Sequence, residues 1–351
     1  MREAENMMNK EWWKNIPVSI NNAFGDPFTE LQIEDTIYKL NSLQSQNAPY
    51  SVITKAVIND EIYNKLKQVK TSKNLVVIYS LTGLDEGGFS FEERVNTIHK
   101  LKEIFGEVIV LVRPIIPGKN DDLETLEKIV LVAKSVSNRL ITGAIHNEFK
   151  RKKVDADVRE MLVQLCEKHG VKYYHKSSCA AADISNNPCW MHDLGKPINL
   201  DVVKELGYNF TLDENGGICL DKATVGDLNF LRMITKSYIT AKEIISGYNI
   251  LSISSDMQTY EVSSSWFSWS RNRRCSINCN YCIIHSIEYL NEDKTIGVHP
   301  SEIMDRSVKA CDSPIRKKQY KKGKYVAEKK NNNMGYNDLR SIQQCRVLKY
   351  V

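Results

Sequence analysis

The sequence has no apolar run near the roughly 20 residues that a membrane helix needs. Its opening stretch, MREAENMMNKEWWKN, is charged from the second position and has no apolar h-region, which predicts no secretory signal and a cytoplasmic chain. No GxGxxG follows the first strand candidate, and no P-loop pattern (GxxxxGK followed by Ser or Thr) occurs anywhere. Dinucleotide and P-loop readings therefore lose their usual support. A dominant charge is missing too: 48 Lys and Arg face 43 Asp and Glu, and a net +5 does not by itself argue for nucleic acid. With 42% hydrophobic and 26% charged residues, disorder and low complexity are excluded. The length, 351 residues, suits one large domain or two ordinary ones.

What the sequence does have is cysteine. There are nine, an odd count, which argues against a disulfide framework and for metal or redox chemistry. Cys275, Cys279 and Cys282 form C-x3-C-x2-C within RRCSINCNYCIIH. Three thiolates on one short loop converge on a single cofactor, and soft thiolates favour iron–sulfur clusters or zinc. Three cysteines leave one iron open to an outside ligand, and Tyr281 is placed to pack beside whatever binds there. Spacing alone leaves other readings open. These are zinc with His285 as fourth ligand, a closed cluster with Cys311 or Cys345, and three unrelated buried thiols.

The first half alternates strand-like and helix-like segments. Strands are predicted at Val18 to Asn22, Ser51 to Thr54, Leu75 to Ser80, Val108 to Val112 and Leu140 to Ile145. Helices are predicted over Leu31 to Leu43, Phe91 to Phe105 and Leu123 to Ser135, the last capped by Asp121 or Asp122. A strand-to-strand repeat of roughly 25 to 35 residues suits βα units with a parallel sheet. From Lys176 glycine and proline punctuate the chain, with short strands predicted near Phe210 and Ile218. SSSWFSWS, from Ser263, reads as a strand leading directly into the cysteines, and IIHSIEYL after them has helical character. Ile315 to Lys330 carries eight Lys or Arg against one Glu, a basic tail.

The cysteine motif, with an aromatic before its third cysteine, resembles the signature of radical SAM enzymes. Further stretches resemble the same superfamily. INNAFGDPF at Ile20 to Phe28 is similar to the turn that meets the methionine amino group. ITKA at Ile53 to Ala56 is similar to the third-strand TK of the spore photoproduct lyase-like branch, whose lysine faces the cofactor carboxylate. VIYSLTG at Val77 to Gly83, VRPIIPGKND at Val112 to Asp121 and LITGAIH at Leu140 to His146 suit strands four to six. The resemblance implies a partial (β/α)6 barrel holding a [4Fe–4S] cluster and S-adenosylmethionine. It also implies a reductant such as flavodoxin or ferredoxin, and cofactor cleavage to a 5′-deoxyadenosyl radical that abstracts hydrogen from an unknown substrate. The departure is the order: the cysteines come last instead of first. The expectation is a circularly permuted barrel. Residues 1–175 would supply strands two to six, 176–262 an α+β cover, 263–312 the cysteine strand, loop and helix, and 313–351 the basic tail. The competing arrangement is a barrel that has lost its own cluster loop and carries an auxiliary site.

Under this resemblance Cys275, Cys279 and Cys282 hold the cluster, and Gly25, Asp26, Lys55, Ser80, Arg113 and Tyr281 serve the cofactor. Physical chemistry allows plainer roles. Gly25 permits close backbone approach. Asp26 either receives an ammonium or caps a turn with Pro27 starting the next helix. Lys55 pairs with a carboxylate or sits solvated at a strand end. Ser80 and Thr82 bond ribose or satisfy a turn. Arg113 holds charge at a strand end or pairs with Asp85, Glu86 or Asp121. Cys179 is a candidate hydrogen-atom donor. Alternatively it joins Cys189, His175 and His192 at a second metal, or both thiols are structural. Cys166 is expected in a core, Cys219 in a buried strand, and Trp266, Phe267 and Trp269 in packing that shelters the cluster. The basic tail allows phosphate contacts with nucleic acid. A non-enzymatic binding factor with a structural zinc or iron–sulfur site is the alternative function.

Overall fold

The computed structural model describes residues 4–21, 25–143, 145–147, 150–152, 156–245, 250–253, 258–263 and 265–271. The chain divides into two compact units. Among the described residues, one unit comprises 18–187 and 269–271, and the other comprises 4–17 and 188–268.

In the larger unit short apolar runs become strands β1 (Val18–Ile20), β2 (Tyr50–Thr54), β3 (Leu75–Leu81), β4 (Val108–Val112) and β5 (Arg139–Thr142). A small hairpin follows, β6 (Ile145–Asn147) with β7 (Lys150–Lys152), and then β8 (Lys172–Tyr174). Strands β1 to β5 and then β8 pair in parallel, each with the next. Strands β1 to β5 are buried on both faces over most of their length, which is why they read as continuous apolar runs and not as alternating ones.

The connecting helices bury one stripe each. Phe91–Phe105 begins at a capping box, Ser90 with Glu93, and Leu123–Val136 begins at Asp122, whose side chain accepts from the Thr125 N–H. Of the two candidate caps it is therefore Asp122; Asp121 instead accepts from the Gly118 N–H. The first predicted helix is shorter than its apolar spacing suggests. It spans Ile33–Ser42, because residues 26–32 are held in turns by Thr29 and Gln32.

The smaller unit contains β9 (Phe210–Leu212), β10 (Ile218–Ala223) and β11 (Ile239–Ile244) in one sheet, with β10 antiparallel to β9 and parallel to β11. Helix Val225–Thr235 packs Leu231 against Ile218, Leu220, Ala223 and Ile239. Cys219 lies in β10 as expected but is half-buried. Strand side chains alternate, so two flanking apolar residues facing the core turn it to the other side. Strands β12 (Ile250–Ile253) and β13 (Gln258–Val262) form an antiparallel pair. Cys166, in helix Ala156–His169 of the larger unit, is fully buried as its pattern predicts, and burial pushes its thiol up to about 12.

The last described strand, β14 (Phe267–Arg271), lies next to β1. The Phe267 N–H donates to Pro17 O at 3.0 Å and the Asn21 N–H to Trp269 O at 2.9 Å. Residue numbers rise together along the two segments, as parallel strands require. Within the larger unit the order is thus β14, β1, β2, β3, β4, β5, β8. This is an α/β arrangement with a parallel sheet, consistent with a partial barrel. The strand predicted last in the chain neighbours the strand predicted first. β8 is an additional strand that the sequence pattern does not mark. No described helix is long and apolar enough to cross a membrane.

Candidate functional site

The carboxyl ends of parallel strands carry loops whose side chains and open backbone groups converge, and here they hold most of the polar candidates. Gly25 sits at φ +147°, a conformation that favours glycine. Next to it Asp26 is buried. Its Oδ1 accepts from Thr54 Oγ1 at 2.6 Å and from the Phe28 N–H at 3.0 Å, and its Oδ2 accepts from the Lys55 N–H at 2.7 Å. Burial pushes the carboxyl up, and the three hydrogen bonds pull it back. Asp26 thereby ties the loop after β1 to the end of β2. Pro27 does not begin a helix; the helix starts six residues later.

Lys55 Nζ meets Glu86 Oε1 at 3.2 Å. Arg94, fully buried, donates to the backbone carbonyls of Lys55 at 2.5 Å and Glu86 at 2.6 Å, and its guanidinium lies 3.9 Å from the Glu86 carboxylate. Glu86, foreseen as one partner for Arg113, is thus engaged by two other cations. Arg94 was absent from the sequence candidates. Its signal was present: it shares the apolar stripe of its helix with Phe91, Ile98 and Leu101, and a charge in that register has to be paired. Tyr79 completes the cluster by donating to Ala56 O at 3.1 Å.

Ser80 Oγ donates to Arg113 O at 2.8 Å, and Thr82 Oγ1 accepts from the Leu84 N–H at 3.3 Å. The VRPIIPGKND loop is pinned by Asn120, also fully buried. It donates to Thr82 O at 2.8 Å and Pro114 O at 3.0 Å, and accepts from the Ile116 N–H at 2.6 Å. The Arg113–Pro114 bond is cis. The stem of Arg113 crosses Gly143 so closely that a Cβ there would lie 2.7 Å from its Cβ and Cγ.

A second polar group anchors the end of β14. Asn21, at φ +50°, donates to Thr36 Oγ1 at 2.8 Å and Asp35 Oδ2 at 3.1 Å. Its Oδ1 accepts from Lys39 Nζ at 2.8 Å and from the Arg271 N–H at 3.0 Å. Gln32 Nε2 reaches Arg271 O at 3.2 Å, and Lys39 lies over the Trp269 ring at 5.2 Å. Residues 272 onward follow directly in the sequence.

Cys275, Cys279, Tyr281 and Cys282 lie outside the described residues, as do His285, Cys311, Cys345 and the basic tail. Cys179, half-buried, belongs to helix Ser177–Ile184 in the larger unit, where His175 meets the Tyr173 ring edge-on. A Cys–His group exists in the smaller unit: Cys189 Sγ and His192 Nδ1 are 3.5 Å apart. There Trp13 packs edge-on against Phe267 and Trp190 against Trp266, while Trp12 packs against Phe230.

No protein-family model matches the chain, and no curated protein matches it. A similar solved structure is a domain of pyruvate-formate lyase-activating enzyme from Bacteroides vulgatus, at 16% identity and a TM-score of 0.35, covering 44% of this chain and 96% of that domain. At that score the likeness is too slight to define a family or an activity.

Proposed function

We propose that this chain is a radical S-adenosylmethionine enzyme. The carrying observation joins sequence to topology: C-x3-C-x2-C begins four residues after β14, a strand that lies beside β1 and runs parallel to it. Loops at the carboxyl ends of such strands are where α/β barrels collect their chemistry. The donor chemistry fits the cofactors. Three thiolates suit a [4Fe–4S] cluster with one iron left for S-adenosylmethionine. When bound, the cluster supplies the electron that cleaves the sulfonium bond and yields the hydrogen-abstracting 5′-deoxyadenosyl group. Among the chain's own residues, Gly25 would let backbone approach the methionine end. Asp26 has three of about four acceptor positions filled and one left for an ammonium. Lys55, Ser80 and Arg113 line neighbouring strand ends, and Tyr281 stands beside the third thiolate in sequence. Cys179 is assigned the hydrogen-donor role on chemistry alone. The order β14, β1, β2, β3, β4, β5 is the observation behind a permuted barrel, and the spore photoproduct lyase-like branch rests on the sequence resemblance at Thr54–Lys55 alone.

Anaerobic reconstitution followed by EPR, with and without S-adenosylmethionine, tests the reading. The expected results are a spectral change on adding the cofactor and release of 5′-deoxyadenosine under reduction. Cys279→Ala should abolish that release. A colourless protein with stoichiometric zinc and no iron after reconstitution overturns the assignment.

A further inference from the structure

The smaller unit carries a pair of metal-ligating side chains that the proposed function does not use. Cys189 and His192 occupy one tight turn, spaced C-x2-H. We propose that they form two corners of a tetrahedral soft-metal site of the zinc class. The Cys189 Sγ to His192 Nδ1 separation is 3.5 Å. Zinc bonds of about 2.3 Å to sulfur and 2.0–2.1 Å to nitrogen, at the tetrahedral angle, require an S···N edge of about 3.5 Å.

The turn is built to keep that edge. The His192 and Asp193 N–H groups both donate to Cys189 O, at 3.2 and 2.8 Å. The Asp193 carboxylate accepts the Cys189 N–H at 2.8 Å, closing the turn from the other side. Trp190 and Met191, between the two ligands, are buried at 0% and 1% exposure. The Trp190 indole N–H donates to Ser265 O at 2.5 Å, and its ring meets Trp266 edge-on. The backbone between the ligands is therefore anchored on both sides. Cys189 is itself buried, while the His192 ring is half-buried and keeps an approach for an ion. A thiolate with an imidazole selects a borderline-soft divalent cation over magnesium or calcium. The remaining coordination positions fall to water or a further side chain. A plain S–H···N hydrogen bond has the same partners but takes up no metal, so the two are separable.

The test uses the full chain with Cys275, Cys279 and Cys282 all changed to Ala, which removes the thiolates of the other motif. Metal-free protein is titrated with Co²⁺. One Co²⁺ per chain should bind, with a thiolate-to-cobalt charge-transfer band and strong tetrahedral d–d absorption, and Zn²⁺ should displace it. Cys189→Ala and His192→Ala should each weaken binding by at least about tenfold, and Cys219→Ala should leave it unchanged. Cys189→Ser and His192→Gln, checked by circular dichroism, repeat the comparison in chains that retain side-chain size. Absence of stoichiometric cobalt in the folded chain, or affinity indifferent to both positions, overturns the proposal. Neither result bears on the radical enzyme reading, whose cysteines are absent from this chain.

Discussion

Lys39 donates through Nζ to the side-chain oxygen of Asn21 at 2.8 Å, and neither residue reaches solvent. The same ammonium pairs with Asp35 at 2.8 Å, one helical turn earlier. Because Asn21 also accepts the Arg271 N–H, this buried ion pair fixes the end of the strand that leads into the cysteine motif.

Removing one charge from that pair deprives the other of its nearest counter-charge. Lys39→Met should cost up to about 3–5 kcal/mol in urea unfolding, since Asp35 stays buried with the Arg271 guanidinium, 4.0 Å away, as its more distant cation. Adding Asp35→Leu to the same chain should recover much of the loss. A double variant no more stable than Lys39→Met would show that the carboxylate is solvated in the variant.

The cluster at Glu86 should behave asymmetrically. Glu86→Gln removes the carboxylate beside the fully buried Arg94 and should cost about 3 kcal/mol or more. Lys55→Met should cost less, because Glu86 keeps Arg94 beside it. Equal losses in denaturant melts would contradict the central place given to Arg94.

Asp26 gives a pH signature of definite sign. Burial raises its native pKa above the ordinary 3.8, so the folded chain holds this proton to higher pH than the unfolded chain does. Stability from this group is therefore greatest at acid pH and falls as pH rises through the native pKa. The difference in unfolding free energy between wild type and Asp26→Asn, followed from pH 4 to 8 by titration calorimetry or melts, should move against wild type as pH rises. Movement the other way would mean that the hydrogen bonds from Thr54, Lys55 and Phe28 outweigh burial.

Gly143→Ala tests the close approach of Arg113. The new Cβ would overlap the stem of Arg113 and should destabilise by about 1–3 kcal/mol. If Arg113 serves the cofactor, the same change raises the KM for S-adenosylmethionine. Unchanged stability would show that the Arg113 stem gives way at little cost.

Five of the parallel strands were legible because both of their faces are buried and the apolar runs are unbroken. β8 escaped notice because Lys172–Tyr174 is short, begins with a lysine and follows its helix after two residues. Arg94, Asn120 and Lys39 escaped for a different reason. Polar residues within otherwise ordinary segments look solvated until their partners, tens of residues away, are known.

The sequence by itself determined the βα rhythm, the three-cysteine motif and the polar residues at the strand ends, because period, spacing and residue chemistry are local properties. Only the tertiary structure decided that β14 lies beside β1, that Glu86 belongs to Lys55 and Arg94, and that Cys189 faces His192 across 3.5 Å. Strand order and ion pairing depend on which distant segments exclude water from one another, and no local pattern encodes that choice.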